Sequence, residues 1–163
     1  MLTIIGVMGP GEGASETDRR LAYELGRAIA REKWVTLCGG RNSGVMEAVT
    51  RGAKEAGALT IGVLPGQDTH DASQYLDLAI VTGMGNARNS INVLSSHVIV
   101  ACGMGKGTAS EVALALKAKK PVVLLNAPKT AIELFRELDD QRVFIAGSVA
   151  EAIEHCRALM ASS

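Results

Sequence analysis

The residues best suited to do chemistry lie in a glycine-rich stretch, residues 103–111, between an apolar run at 98–101 and an Ala- and Leu-rich segment of helical pattern. Its three glycines let backbone N–H groups come close to a ligand. The opening turn of a helix leaves about four N–H groups unpaired beside a partial positive charge. Because Lys106 adds a full positive charge, the stretch predicts a binding position for a phosphate group.

Two related nucleotide-binding motifs are excluded. A triphosphatase loop needs G-x-x-x-x-G-K-[ST], but Lys106 precedes Gly107, and Val100 stands where the first glycine is required. Residues 9–14 fit the dinucleotide pattern G-x-G-x-x-[GA]. That fold also needs an acid at the end of its second strand, where residues 37–40 read Leu-Cys-Gly-Gly. We therefore expect neither triphosphate hydrolysis nor ordinary NAD binding.

Glycine-rich turns also follow other predicted strands. They begin at Gly9, Gly39, Gly83 and Gly103, after the first, second, fourth and fifth strands. Ligands of open parallel sheets bind beyond the carboxyl ends of the strands, where the strand order reverses. If the first, fourth and fifth strands are neighbours, these turns line one crevice. Its charged residues, Arg41, Arg88, Lys106, Glu12 and Glu111, predict a locally positive crevice.

Apolar runs of strand length alternate with helical patterns along the whole chain. The runs are continuously apolar, which is typical of parallel strands covered on both faces. The pattern predicts an α/β fold: a single Rossmann-like, doubly wound, mainly parallel sheet of about seven strands with helices on both faces. The predicted strands are 3–8, 34–38, 59–64, 78–82, 97–101, 121–125 and 143–145, and the predicted helices are 15–33, 43–56, 86–95, 108–119, 130–138 and 148–160.

Length and composition exclude several classes of protein. The 163 residues suit one domain, 1–163, and their 17 basic and 17 acidic side chains give zero formal charge. Without a net positive charge we expect no general attraction to nucleic acid or to an anionic membrane. No apolar run approaches the ~20 residues needed to span a bilayer. The N-terminal residues lack a signal-peptide pattern, so we expect a cytoplasmic protein.

Glu111 has two possible roles. It completes a Thr108-x-x-Glu111 capping pattern, and the same [ST]-x-x-[DE] pattern recurs at Ser15, Thr130 and Ser148. Only the pattern at Thr108 follows a triple-glycine loop. Glu111 therefore either caps its helix or faces a ligand.

Arg88 also has two possible roles. It falls in the first turn of a predicted helix, where the helix dipole disfavours a positive side chain by ~0.3–1 kcal/mol. It is therefore either a solvated surface residue or a partner for an anion.

The thiols and imidazoles give little support for catalysis. The three cysteines and three histidines match no zinc spacing, and no metal site is expected. Cys38 and Cys102 end apolar runs, so their thiols either touch a ligand or are buried. The usual burial of free cysteine favours the second alternative.

With these residues placed, the chain resembles the LONELY GUY family, also called lysine decarboxylase-like proteins, whose mark is P-G-G-x-G-T-x-x-E. Residues 103–111 match this mark except that Gly103 replaces the proline and Met104 the first glycine. Residues 38–48 are similar to the family's glycine-rich turn, and residues 83–89 stand in the place of its arginine segment. The resemblance covers nearly the whole chain and implies a Rossmann-like fold.

The resemblance implies two functional branches. One contains phosphoribohydrolases of cytokinin-type nucleoside 5'-monophosphates, in which the matching arginine and glutamate, here Arg88 and Glu111, are catalytic. A shorter branch contains molybdenum cofactor carrier proteins, which bind molybdopterin and protect it from oxidation. The length, the Gly-Met-Gly-x-Ala-Arg-Asn segment and the missing proline favour the carrier branch, so we lean towards a binding protein without catalysis. A nucleotide-sensing module is a third alternative.

Molybdopterin suits these turns chemically. Its phosphate monoester suits the helix opening, and its pterin needs amide and carbonyl partners such as asparagines and glycine backbones. We expect the cofactor to be transferred to acceptor molybdoenzymes or insertion proteins, and we expect a homo-oligomer, a dimer or tetramer. The predicted cofactor-binding residues are Gly9, Gly11, Gly39, Gly40, Asn42, Ser43, Gly83, Met84, Asn86, Arg88, Asn89, Gly103, Gly105, Lys106, Gly107, Thr108 and Glu111.

Overall fold

The chain forms a parallel sheet of seven strands in the computed structural model, which describes residues 1–161. Residues 162 and 163, the end of the predicted domain, lie outside the described residues. All strand pairs are parallel, which confirms the predicted Rossmann-like α/β fold. The strands are β1 Ile4–Met8, β2 Val35–Cys38, β3 Thr60–Leu64, β4 Leu78–Val81, β5 Val98–Cys102, β6 Val122–Leu125 and β7 Val143–Ala146.

Six α-helices cover the two faces of this sheet within residues 1–161. The first, second and last helices share one core cluster with Val7 and Val100. The other three share a second cluster with Met8 and Ile99. Among the described residues, no helix has the length and apolar character to cross a membrane. The helices are α1 Glu16–Arg31, α2 Gly44–Glu55, α3 Asn89–Ser95, α4 Lys106–Lys117, α5 Lys129–Asp139 and α6 Val149–Ala161, and a 3₁₀ helix spans Gly85–Arg88.

The predicted elements are present, and apart from the start of α3 their ends differ by at most two residues. Two differences affect the turns. The helix predicted from residue 108 begins at Lys106, because Gly105 takes an extended conformation with φ −142° and acts as its N-cap. The helix predicted at 86–95 is divided, since the 3₁₀ helix precedes α3.

The strand order corrects one expectation. Across the sheet the order is β4-β3-β2-β1-β5-β6-β7. β1 therefore neighbours β5, but β4 lies at the edge beside β3, so the condition that all three strands are neighbours is not met. The first four strands are laid down outward from β1, and the chain then returns to place β5 on the other side of β1. The strand order thus reverses between β1 and β5, where a ligand of such a sheet is expected.

The predicted capping patterns give different outcomes. The capping box at Ser15 is confirmed, since its hydroxyl accepts from Asp18 N and the Asp18 carboxylate accepts from Ser15 N. The Ser148 hydroxyl accepts from Glu151 N at 3.2 Å. The prediction that Thr130 caps a helix was wrong, because α5 begins at Lys129 and Pro128 is its N-cap.

Candidate functional site

A crevice of about 430 Å³ opens at the reversal between β1 and β5. This volume is within the range of small-molecule sites, ~300–1,000 Å³. The turns after β1 and β5 form its walls, and the chain between β4 and α3 supplies further lining. Its lining residues are Val7, Met8, Gly9, Pro10, Gly11, Glu12, Gly13, Gly39, Arg41, Met46, Asn86, Arg88, Asn89, Gly105, Lys106, Gly107, Thr108 and Glu111.

The opening of α4, residues 105–108, forms what we call the amide end of the crevice. Helix geometry leaves the N–H groups of the first turn without carbonyl partners in the helix. In the described chain no side chain caps this helix. A Cβ at Gly107, which lines the crevice, would meet nothing within 4 Å, so the space beside this residue is open. The amide end therefore has free donors and room for an anion.

Thr108 adds a hydroxyl to the amide end. The residue is 2% exposed and lines the crevice. Its Oγ1 atom is buried and has no hydrogen-bond partner among the described residues. A buried polar atom without a partner costs stability, so this hydroxyl is suited to a polar ligand atom. Lys106 is exposed beside it and supplies a movable positive charge.

Gly103 sets the path of the chain into the amide end. Its φ is +74°, and a Cβ there would lie 2.5 Å from Asp18 Oδ1. The Asp18 carboxylate is fixed, because it accepts from Ser15 N at 2.9 Å and from Asn126 Nδ2 at 2.7 Å. Proline holds φ near −65° and cannot take this conformation. The replacement of the motif's proline by glycine therefore has a structural reason.

Arg88, Asn92 and Glu111 form what we call the acid end of the crevice. Glu111 lies within α4 and is 7% exposed. Its Oε1 accepts from Asn92 Nδ2 at 3.1 Å. The alternative that Glu111 and Thr108 form a helix cap was wrong, because α4 already begins at Lys106.

The charge of Glu111 is costly in this position. Burial raises the pKa of Glu111 to about 7, although the hydrogen bond from Asn92 and the charge of Arg88 lower it. The crevice therefore contains a carboxyl group whose charge depends on its partners near neutral pH.

Arg88 is buried, with 8% of its surface exposed, and the surface alternative for this residue was wrong. Its Nη1 donates to Gly39 O and to Val63 O, both at 2.6 Å. These carbonyls belong to the ends of β2 and β3, over which the chain passes on its return from β4. Burial lowers the pKa of Arg88 and the Glu111 charge opposes this shift, but a guanidinium stays protonated in proteins. Its Nε has no partner among the described residues.

The crevice brings together many of the predicted site residues. Asn86 and Asn89 line it, and Asn89 Nδ2 also donates to Ser110 Oγ at 3.2 Å. The predicted residues that line it are Gly9, Gly11, Gly39, Asn86, Arg88, Asn89, Gly105, Lys106, Gly107, Thr108 and Glu111.

Six predicted residues lie outside this lining in the described structure. Asn42 faces a neighbouring groove between α1 and α2, and Ser43 is the N-cap of α2. Gly40 packs against Gly62 of β3. Gly83 and Met84 follow the edge strand β4 rather than a central one, and Gly103 is buried beside Asp18.

Sequence reasoning did not assign seven lining residues to the site. Arg41 and Glu12 were identified only as charges on the turns. Pro10 and Gly13 belong to the same glycine turn as Gly9, which could have indicated them. The others carried no such signal, because apolar side chains at a strand end or on a helix are expected in the core. These are Val7, Met8 and Met46.

Neither thiols nor a metal cluster contributes to the crevice in the described residues. Cys38 and Cys102 are fully buried, as the favoured alternative predicted, and so is Cys156; burial raises the pKa of each thiol to about 12. Within residues 1–161, no group of three or more acidic, histidine or cysteine side chains could hold a metal ion. The groups available in the crevice are thus hydrogen-bond donors, two acids and three basic side chains.

The chain is similar along nearly its whole length to two solved proteins. It is 57% identical to the molybdenum cofactor binding protein of Rippkaea orientalis, with 98% of each chain covered and a TM-score of 0.97. It is 54% identical to the Moco carrier protein of Chlamydomonas reinhardtii, with all of each chain covered and a TM-score of 0.95.

Two further comparisons also cover most of the chain. A protein of Archaeoglobus fulgidus is 40% identical over 152 residues, 93% of each chain. The model of the SLOG cluster4 family matches residues 2–153. This chain therefore belongs to the SLOG cluster4 family.

Proposed function

We propose that this protein binds the molybdenum cofactor in its molybdopterin form, protects it and carries it to acceptor proteins. The observation that carries the proposal is the amide end: free helix amides and the unpartnered Thr108 hydroxyl, facing a crevice of about 430 Å³. The similarity to a cofactor binding protein and a Moco carrier protein, over nearly all of each chain, supports the same ligand.

The donor set suits this ligand. We assign the phosphate monoester to the amides of residues 105–108, with Thr108 Oγ1 and Lys106 as further donors. Asn86 and Asn89, which line the crevice, offer amide donors and acceptors to the pterin. The bound cofactor is cargo, and its redox chemistry belongs to the enzymes that receive it.

A carrier must also release its ligand. Each hydrogen bond contributes ~1 kcal/mol net, so several of them give firm binding without a covalent or metal-ligand bond. The described crevice has this character, since no thiol lines it and its donors are amides, a hydroxyl and basic side chains.

Loading with reconstituted cofactor tests the proposal. The wild-type protein should form a stable complex and slow the oxidation of the cofactor. Thr108→Val, which keeps the shape and removes the hydroxyl, should weaken binding about tenfold, since one lost hydrogen bond is worth ~1.4 kcal/mol. Thr130→Val makes the same change at an exposed threonine of α5 and should alter affinity less than about twofold. Protection no better than that given by serum albumin would refute the proposal.

The phosphoribohydrolase alternative is tested with the same protein. Arg88 and Glu111 are both at the crevice, which is the observation that favours it. We expect no ribose 5-phosphate to be released from AMP. Release that is abolished in Glu111→Gln would favour the enzyme and displace the carrier.

We further propose that the protein is one domain over residues 1–163, acts in the cytoplasm and delivers its cargo to molybdoenzymes or insertion proteins. We also propose a homo-oligomer, a dimer or tetramer. Leu94, Leu134 and Leu138 support association, since each is more than half exposed on helices of the same layer. Light scattering coupled to gel filtration measures the subunit number.

A further inference from the structure

An acid at an anion-binding crevice needs an explanation. Glu111 lines the same crevice as the amides of α4 and Lys106. A carboxylate repels a phosphate, and burying its charge is costly unless hydrogen-bond donors compensate. In the described structure, this carboxylate accepts a side-chain hydrogen bond from Asn92 Nδ2, at 3.1 Å. A ligand that binds here must therefore offer Glu111 donors and keep its own anion away from it.

The position of Glu111 along α4 separates these two requirements. Glu111 lies five residues beyond Lys106, which is ~7.5 Å along the axis at ~1.5 Å per residue. Thr108 and Glu111 are three residues apart and share a helix face. An elongated ligand can thus place a phosphate at the amide end and a ring at the acid end.

Two neighbours, Asn92 and Arg88, favour the ionised, accepting form of Glu111 against the effect of burial. Asn92 is fully buried and holds Oε1 through its Nδ2 donor, while its own Oδ1 has no partner among the described residues. Arg88 lies in the same crevice but donates its Nη1 hydrogens to Gly39 O and Val63 O. Arg88 supplies positive charge that stabilises the ionised carboxylate through space.

We propose that Glu111, positioned by Asn92, determines specificity by accepting two adjacent N–H donors from a 2-amino-4-oxopyrimidine ring. This inference rests on the proposed function, because molybdopterin carries such a ring in its pterin. The ring presents a ring N–H beside an amino group, and a carboxylate accepts two parallel N–H bonds, as it does from arginine. Guanine presents the same edge, whereas adenine presents a ring nitrogen acceptor there. A buried acceptor strongly rejects ligands that cannot donate to it.

Calorimetry with molybdopterin, GMP and AMP tests this assignment. All three ligands carry a phosphate monoester, so they present the same group to the amide end and differ in the ring that they present to Glu111. The wild-type protein should bind GMP at least about tenfold more tightly than AMP, as one or two hydrogen bonds imply. Glu111→Gln should weaken molybdopterin and GMP at least about tenfold and leave AMP within about threefold. Glu12→Gln makes the same change at an exposed acid of the crevice and should leave the GMP-to-AMP ratio unchanged.

The outcomes separate the two proposals. Wild-type protein that binds molybdopterin but prefers neither nucleotide overturns the Glu111 assignment and leaves the carrier proposal standing. Glu111-dependent selection of GMP without molybdopterin binding overturns the carrier proposal and supports the assignment. An equal loss for GMP and AMP in Glu111→Gln, or a ratio that falls as much in Glu12→Gln, also overturns the assignment. The wild-type ratio remains informative even if Glu111→Gln does not fold.

Discussion

The two ends of the crevice consist of different kinds of chemical group. The amide end consists of backbone N–H groups at an uncapped helix opening, with Gly107 facing open space. The acid end consists of buried side chains that depend on one another: Glu111 accepts from Asn92, and Arg88 is tied to Gly39 and Val63. The first arrangement is independent of most side chains, whereas the second fails if one partner is removed.

This difference separates affinity from specificity. Helix amides bind any phosphate group, since they recognise charge and hydrogen-bond acceptors alone. Buried side chains in fixed positions distinguish one ring edge from another, but their desolvation costs stability. Changes at the acid end should therefore alter stability and selectivity, and changes at the amide end should alter affinity for phosphate-bearing ligands alike.

The largest expected effect is the loss of Arg88. Arg88→Met removes the donor to Gly39 O and Val63 O and leaves Glu111 without its compensating charge. We expect the free energy of unfolding in urea to fall by about 2–4 kcal/mol. Lys106→Met makes the same change at the exposed amide end and should lower it by less than about 0.5 kcal/mol. Equal losses in the two variants would contradict the comparison.

The next effect is the pH dependence of stability. The pKa of Glu111 rises from 4.5 to about 7 in the folded protein. A raised folded pKa means that Glu111 contributes stability that is complete below pH ~4.5 and is lost as the pH rises to ~7. Glu111→Gln lacks this titration. Its unfolding free energy minus that of the wild type should therefore increase across this pH window, by up to about 3 kcal/mol.

Urea unfolding at several pH values between 4.5 and 8 measures this difference. Thr130→Val, at an exposed position of α5 without a titratable group, should show a nearly constant difference from the wild type. A constant difference for Glu111→Gln as well would show that folding does not raise the pKa of Glu111.

Local patterns predicted the amide end well. The alternation of apolar runs and helical segments predicted the strands and helices, because each pattern depends on neighbours in the sequence. The position of the phosphate loop followed from the glycines of residues 103–107 and the helix after them. Even its departure from the family motif is explained locally, since Gly103 adopts φ +74°.

The acid end was harder to predict because its contacts are distant in sequence. Arg88 reaches carbonyls 49 and 25 residues away, and its burial follows from the return of the chain from β4 across β3 and β2. The hydrophobic periodicity of the sequence contains no information on that path, so the sequence also allowed a surface position for Arg88. Asn92 gave no sign of its contact with Glu111, 19 residues away, and was not predicted as a site residue.

The smallest expected effect in stability, and the sharpest test of the comparison, is at Gly107. A methyl group at this position meets nothing within 4 Å, so Gly107→Ala should raise the unfolding free energy by about 0.5–1 kcal/mol, because alanine loses less entropy in a helix. The same methyl adds bulk to a residue that lines the crevice at the free amides, where a phosphate must approach closely. We expect calorimetry to show that GMP and AMP each bind about tenfold more weakly, with the ratio of their two affinities unchanged. An altered ratio would mean that the amide end also recognises the ring, and unchanged affinities would mean that the phosphate does not bind at these amides.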